Sequence, residues 1–226
     1  GLTACFPPWA SADGKLFDNL ADEVMRDRIR SEVTNQTEEW ENMCMLATPG
    51  GVLLLGLEKP ENQKYAGRYL DDIAAEYGKH WIETAMDLVL SEEQRVGTIY
   101  FMMDEENVRL QLQQPWMKFG TDAGGVNPAV VENLVHPRAY GTYPRILGRY
   151  VRDEGVLSLE EAVRKMTSMA ALRLDIRDRG MLRDGMKADI VIFDLKTVKS
   201  PSTRHDPKQF PVGIDYVFVN GTVVVA

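Results

Sequence analysis

The chain has 226 residues, 44% of them hydrophobic, enough to bury a core in one large domain or in one domain with a smaller companion. Its 34 Asp and Glu outnumber 26 Lys and Arg, a net charge of -8, which argues against a binder of nucleic-acid phosphates or of an anionic membrane and favours a small soluble substrate. Cys5 and Cys44 are the only cysteines, no apolar run approaches the ~20 residues of a membrane helix, and no basic-then-apolar leader opens the chain, so neither a disulfide framework nor a membrane span is expected and a reducing cytoplasm is the natural compartment. The chain begins at Gly1 rather than at a methionine and stops directly after Val223-Val224-Val225, so both ends are expected to have been cut from something longer.

In chain order, residues 2–9 read as the end of a strand halted by Pro7 and Pro8, with Cys5 packed as a small apolar thiol. Leu20, Val24, Met25, Ile29 and Val33 recur at helical spacing and predict one amphipathic helix over 16–33. Gly50-Gly51 opens an apolar run, residues 52–57, short enough to be a buried strand, and a polar surface loop follows over 58–67. Residues 69–90 predict two helices broken near Gly78, with His80 at the break as a cap or surface residue.

Residues 98–103 read as a strand, 104–114 as a helix with an acidic first turn, and 116–121 as a second strand that delivers Asp122 to a loop rich in Gly, Asn and Pro. Strand, helix, strand predicts a parallel βαβ unit. The segment from 136 to 145 is polar, aromatic and turn-rich at once; residues 146–152 look helical, and Ser158 with Glu161 forms a capping box opening a helix to about Arg173, with Leu159, Val163, Met166 and Ala170 on one face. From there the periodicity turns to strand: 188–194, then 216–219 and 222–225 as a hairpin over Asn220-Gly221.

Gly180-Met181-Leu182-Arg183-Asp184-Gly185 leading through Ala188-Asp189-Ile190-Val191-Ile192-Phe193-Asp194, with Val217-Phe218-Val219-Asn220-Gly221, resembles the C-terminal β-domain signature of the amidohydrolase superfamily. The order Gly120-Thr121-Asp122, His136-Pro137-Arg138, Tyr143-Pro144-Arg145, Gly148-Arg149-Tyr150-Val151 and Leu159-Glu160-Glu161-Ala162 resembles the N-acyl-D-amino-acid deacylases, or D-aminoacylases, more narrowly. Leu2-Thr3-Ala4 and Pro7-Pro8-Trp9-Ala10 match as well.

That resemblance implies an α/β fold: the C-terminal part of a (β/α)8 metal-dependent hydrolase barrel over residues 1–177, with an inserted or irregular segment at about 34–70, plus strands of a small β-sandwich over 178–226. It implies hydrolysis of N-acyl-D-amino acids to a carboxylate and a free D-amino acid, with Asp122 taking a proton from a metal-bound water and returning it to the leaving amine. Arg138 would hold the substrate α-carboxylate in its planar fork. His136 stands where it could touch substrate, although a turn role is favoured, and Gly56 falls near a substrate-contact position where relatives carry a serine. The implied zinc is held in the family by an early His-x-His, a cysteine and further histidines; with only His80, His136 and His205, this chain is expected to leave the metal ligands to a missing N-terminal half. Two other readings stay open: a non-catalytic fragment that pairs with that half or forms a homo-oligomer, and an amidohydrolase acting on a cyclic amide.

Overall fold

The computed structural model describes residues 1–35, 39–125, 127–131 and 133–226. They form two compact units, one from Gly1–Met102 with Val131–Val135, the other from Met103–Val130 with His136–Ala226.

The first unit is helical around a two-stranded sheet. Its start is not a strand end: the Ala4 and Phe6 amides donate to the Gly1 and Thr3 carbonyls (3.0 and 3.1 Å), making tight 3-10 turns at Leu2–Cys5 and, after Pro7, Pro8–Gly14. The helix expected over 16–33 is two, α1 (Leu16–Ala21) and α2 (Glu23–Thr34), because Asp22 leaves helical geometry and its carboxylate accepts the Met25 amide at 3.0 Å, a cap the apolar periodicity did not reveal. The short α3 (Met43–Ala47) lies in the segment expected to be irregular, of which residues 36–38 are outside the described ones. Cys44 on α3 is disulfide-bonded to Cys5, with Cα atoms 4.9 Å apart; this corrects the expectation of two unbonded cysteines.

Strand β1 (Val52–Gly56) is apolar and buried as expected, and it pairs with β2 (Gly97–Tyr100) in antiparallel register, Val52 opposite Tyr100 and Leu54 opposite Thr98. Between them lie α4 (Leu70–Tyr77), closed by Gly78 in the left-handed region, and α5 (Trp81–Glu92), where the His80 ring accepts the Ile82 amide at 3.4 Å; the break and the cap are those expected. Leu20, Ile29, Val52, Leu54, Ile73, Ile82, Met86 and Leu88 share one core. Arg26 of α2, 7% exposed, donates to Glu83 and Asp87 on α5, both at 2.7 Å.

Residues 58–67 are less loop-like than their composition. The Glu92 carboxylate, 4% exposed, accepts the Glu58 amide at 2.7 Å, the Lys59 amide at 3.3 Å and the Asn62 side chain at 2.7 Å. Burial alone would raise the Glu92 pKa; those hydrogen bonds outweigh it and hold the carboxylate below its usual range.

The second unit opens with α6 (Glu105–Gln113), capped by the Asp104 carboxylate on the Glu106 amide at 2.6 Å. The expected parallel βαβ unit is not formed. β2 runs antiparallel to β1, and no strand lies beside residues 116–121 among those described; the segment opens in a turn, the Met117 amide donating to the Gln114 carbonyl at 3.2 Å, and the Phe119 amide goes to the Lys165 carbonyl at 3.4 Å rather than to a ladder. The turn-rich stretch contains a helix, α7 (Arg138–Arg145), that carries Pro144 inside it; directly afterwards the backbone widens to a π-helix at Ile146–Asp153.

The Ser158 hydroxyl accepts the Glu161 amide at 3.2 Å and opens α8 (Leu159–Met166), as the capping box predicts. A break at Thr167 separates it from α9 (Ser168–Arg173). Leu159 and Met166 of the expected stripe pack against the core beside the buried Ala162 and Lys165, while Val163 is 39% exposed, so only part of the stripe faces inward. Strands β3 (Ile190–Phe193), β4 (Ile214–Val219) and β5 (Thr222–Val225) form an antiparallel sheet in that order, and Asn220-Gly221 turns the β4–β5 hairpin with both residues at positive φ, 51° and 79°.

Candidate active site

Asp122 lies six positions past the turn at 115–116, after a stretch without regular structure, and enters the left-handed region at φ 47°, a conformation Asp tolerates better than most residues with a Cβ. This aims its carboxylate at α7, where the Arg138 guanidinium meets it at 3.0 Å. The Asp122 side chain is 92% exposed and that of Arg138 41%, so the pair is open to solvent and to exchange with another carboxylate. A carboxylate and a guanidinium sixteen positions apart in sequence are thereby neighbours.

His136 sits two residues before the start of α7, and its Nδ1 accepts the Arg138 amide at 3.1 Å. In the neutral ring the hydrogen is therefore on Nε2. The bond ties the ring to the backbone of Arg138. Burial, then the Arg138 charge, lower its pKa from the ordinary 6.5, with Asp122 pulling the other way. Because the folded value lies below the unfolded one, the unfolded chain takes up this proton first as pH falls through 6.5, and the second unit loses stability there. An NMR titration is expected to place the His136 midpoint below 6.5 in the wild type and higher in Arg138→Gln; a wild-type midpoint above 6.5 contradicts the geometry.

Beside this cluster opens a cleft of about 430 Å³. Leu112, Met117, Phe119, Ile146 and Tyr150 supply its apolar lining, and His136, Arg138 and Arg145 bring the polar groups. Gly120, two residues before Asp122, lines it too. α7 and the π-helix approach the segment around 198–202 so closely that a Cβ on Gly141 would lie 1.8 Å from the Ser200 Oγ and one on Gly148 2.5 Å from the Val198 carbonyl oxygen. In the same unit Glu154 accepts from the Arg109 Nε at 2.8 Å and the Arg149 Nε at 2.7 Å, and these guanidinium groups, Arg109 first, hold its pKa down to about 2.

Gly56 lies in the first unit, at the end of β1. A Cβ there would stand 2.8 Å from the Asn133 side chain, so a carboxamide fills the space a side chain at 56 would need. Among the described residues no group of three or more His, Cys, Asp and Glu is placed to hold a metal ion. The residue sequence reasoning missed is Lys165, wholly buried beneath the run that leads to Asp122; its spacing of three from Ala162 was the available signal, overridden because lysine is read as a surface residue.

A model described as the amidohydrolase family matches residues 66–225. Over 159 residues the chain is 42% identical to the D-aminoacylase of Alcaligenes xylosoxydans xylosoxydans, covering 70% of this chain and 31% of that protein. Over 158 residues it is 40% identical to the N-acyl-D-glutamate deacylase of the same organism, covering 70% and 30%. Among solved structures, the N-acyl-D-glutamate deacylase from Bordetella bronchiseptica, complexed with zinc and a phosphonate mimic of the tetrahedral intermediate, superposes with a TM-score of 0.69 at 36% identity, over 80% of this chain and 36% of that one. The chain thus spans about a third of the length of the relatives it matches. With the match running from residue 66 through the Asp122–Arg138 cluster to the last hairpin, the chain belongs to the amidohydrolase family.

Proposed function

We propose that the chain is the part of an N-acyl-D-amino-acid deacylase that carries the proton-transfer carboxylate and the carboxylate-binding arginine. The observation behind this reading is the 3.0 Å pairing of Asp122 with Arg138 at an apolar cleft, in a segment similar to D-aminoacylase and N-acyl-D-glutamate deacylase. Asp122 is the general base that takes a proton from the attacking water and, once the tetrahedral intermediate collapses, the acid that gives it to the leaving amine. Arg138 has five N–H donors, enough to keep one contact to Asp122 while two parallel donors receive the substrate α-carboxylate. His136 holds Arg138 in place through its backbone.

No set among the described residues fits the zinc that the Bordetella relative binds, so in this reading the metal ligands are supplied by the rest of the protein and no step is assigned to the metal here. The whole protein is read as a (β/α)8 barrel with a β-sandwich to which β3, β4 and β5 belong. The exposure of Val191, Ile192, Tyr216, Val223 and Val224 supports a second layer over that sheet. The same exposure is the support for a partner, either an N-terminal half or a second copy.

No helix among the described residues is long and apolar enough to cross a membrane. The Cys5–Cys44 bond removes the redox ground for a cytoplasmic location. The test of the proposal is release of free amine from N-acetyl-D-amino acids by the full-length protein. Turnover of the D but not the L form is expected; equal turnover of both, or of cyclic amides instead, refutes it.

A further inference from the structure

A lysine with no exposed surface is rare unless its charge is met, and Lys165 on α8 is such a residue. Its ammonium donates to the carbonyls of Leu112 at 2.5 Å and Gln114 at 2.7 Å, where α6 ends and backbone acceptors have no helical partner. The Glu161 carboxylate is 3.8 Å away and the Phe119 ring centroid 5.5 Å. The Lys165 carbonyl in turn accepts the Phe119 amide at 3.4 Å. One residue therefore grips the chain twice, at 112–114 and at 119. The stretch between includes Met117 and Lys118 of the cleft wall, and Asp122 follows three residues beyond it. Burial pushes the Lys165 ammonium below the usual lysine range and Glu161 opposes it. The carbonyl contacts are what an uncharged side chain of the same size would lack.

We propose that Lys165 is a positioning residue for Asp122: it ties the end of α6 and the run from 115 to 119 to α8, so that the backbone presents the Asp122 carboxylate to Arg138. This rests on the reading of Asp122 as the proton carrier. A lysine serving only to stabilise α8 would not need to hold both ends of another segment.

The test is Lys165→Met, which keeps the unbranched stem to within one atom and removes the donors, with Lys165→Gln as a milder second variant, both in the full-length protein. The measurements are kcat, KM and amide exchange over residues 111–119. The proposal expects kcat to fall about 10- to 100-fold in Lys165→Met, KM to stay within about threefold, and exchange over 111–119 to rise while the first unit is unchanged. Lys165→Gln should fall between the two. Unchanged exchange over 111–119, or kcat within about twofold of wild type despite faster exchange, overturns it. Loss of the whole fold in both variants overturns it as well, since Lys165 would then support the unit rather than this run. If the wild-type protein hydrolyses no N-acetyl-D-amino acid, the functional reading fails, and exchange alone decides whether Lys165 holds the segment.

Discussion

Asp122→Asn is expected to lower kcat/KM on N-acetyl-D-amino acids by about 10²–10⁴-fold, the range for loss of a positioned acid–base group, with the loss in kcat. Stability should hardly move, for two reasons of magnitude. Asn adopts the left-handed conformation at φ 47° as readily as Asp does. The ion pair it removes is largely exposed on the Asp122 side, and such pairs contribute only about 0–1 kcal/mol. A variant that keeps more than about a tenth of wild-type kcat removes Asp122 from proton transfer. One that unfolds shows instead that the carboxylate is structural, which the exposed geometry contradicts.

The second large effect concerns the first unit. The Cys5–Cys44 bond joins positions 39 apart in sequence, and both residues are wholly buried. In the chain-entropy account a crosslink of that span stabilises by about 4 kcal/mol, a large share of the 5–15 kcal/mol typical of a domain. Cys5→Ser with Cys44→Ser, or reduction under mild denaturant, is therefore expected to shift the urea midpoint of the first unit strongly downward and to leave that of the second in place. Thiols that react freely in the native protein, with no change of midpoint on adding reductant, would show that the bond is not formed.

Much of this architecture was legible in the residues. The capping box at Ser158, the Gly78 break and the Asn220-Gly221 hairpin each rest on local backbone chemistry, and each stands where it was expected. What escaped depends on partners distant in sequence. Whether residues 116–121 form a strand is decided by a neighbouring ladder, which no period-two pattern supplies. The inward turn of Lys165 depends on carbonyls some fifty positions earlier, and the split at Asp22 on one carboxylate competing with an otherwise continuous apolar stripe. Of the candidate site, the motif order brought out Asp122, His136 and Arg138 together, whereas their mutual contacts needed coordinates: a ring nitrogen on a backbone amide leaves no trace in composition.

The Glu92 carboxylate has a consequence for how this scaffold accepts change. Residues 58–62 have the polar, charged make-up that invites grafting of a tag or an epitope, and length variation in ordinary surface connections is tolerated. Here two amide hydrogens and one carboxamide converge on a single buried acceptor, so even one added residue would pull donors away and leave a desolvated charge unmet. A segment that looks disposable is one of the least extensible parts of the chain.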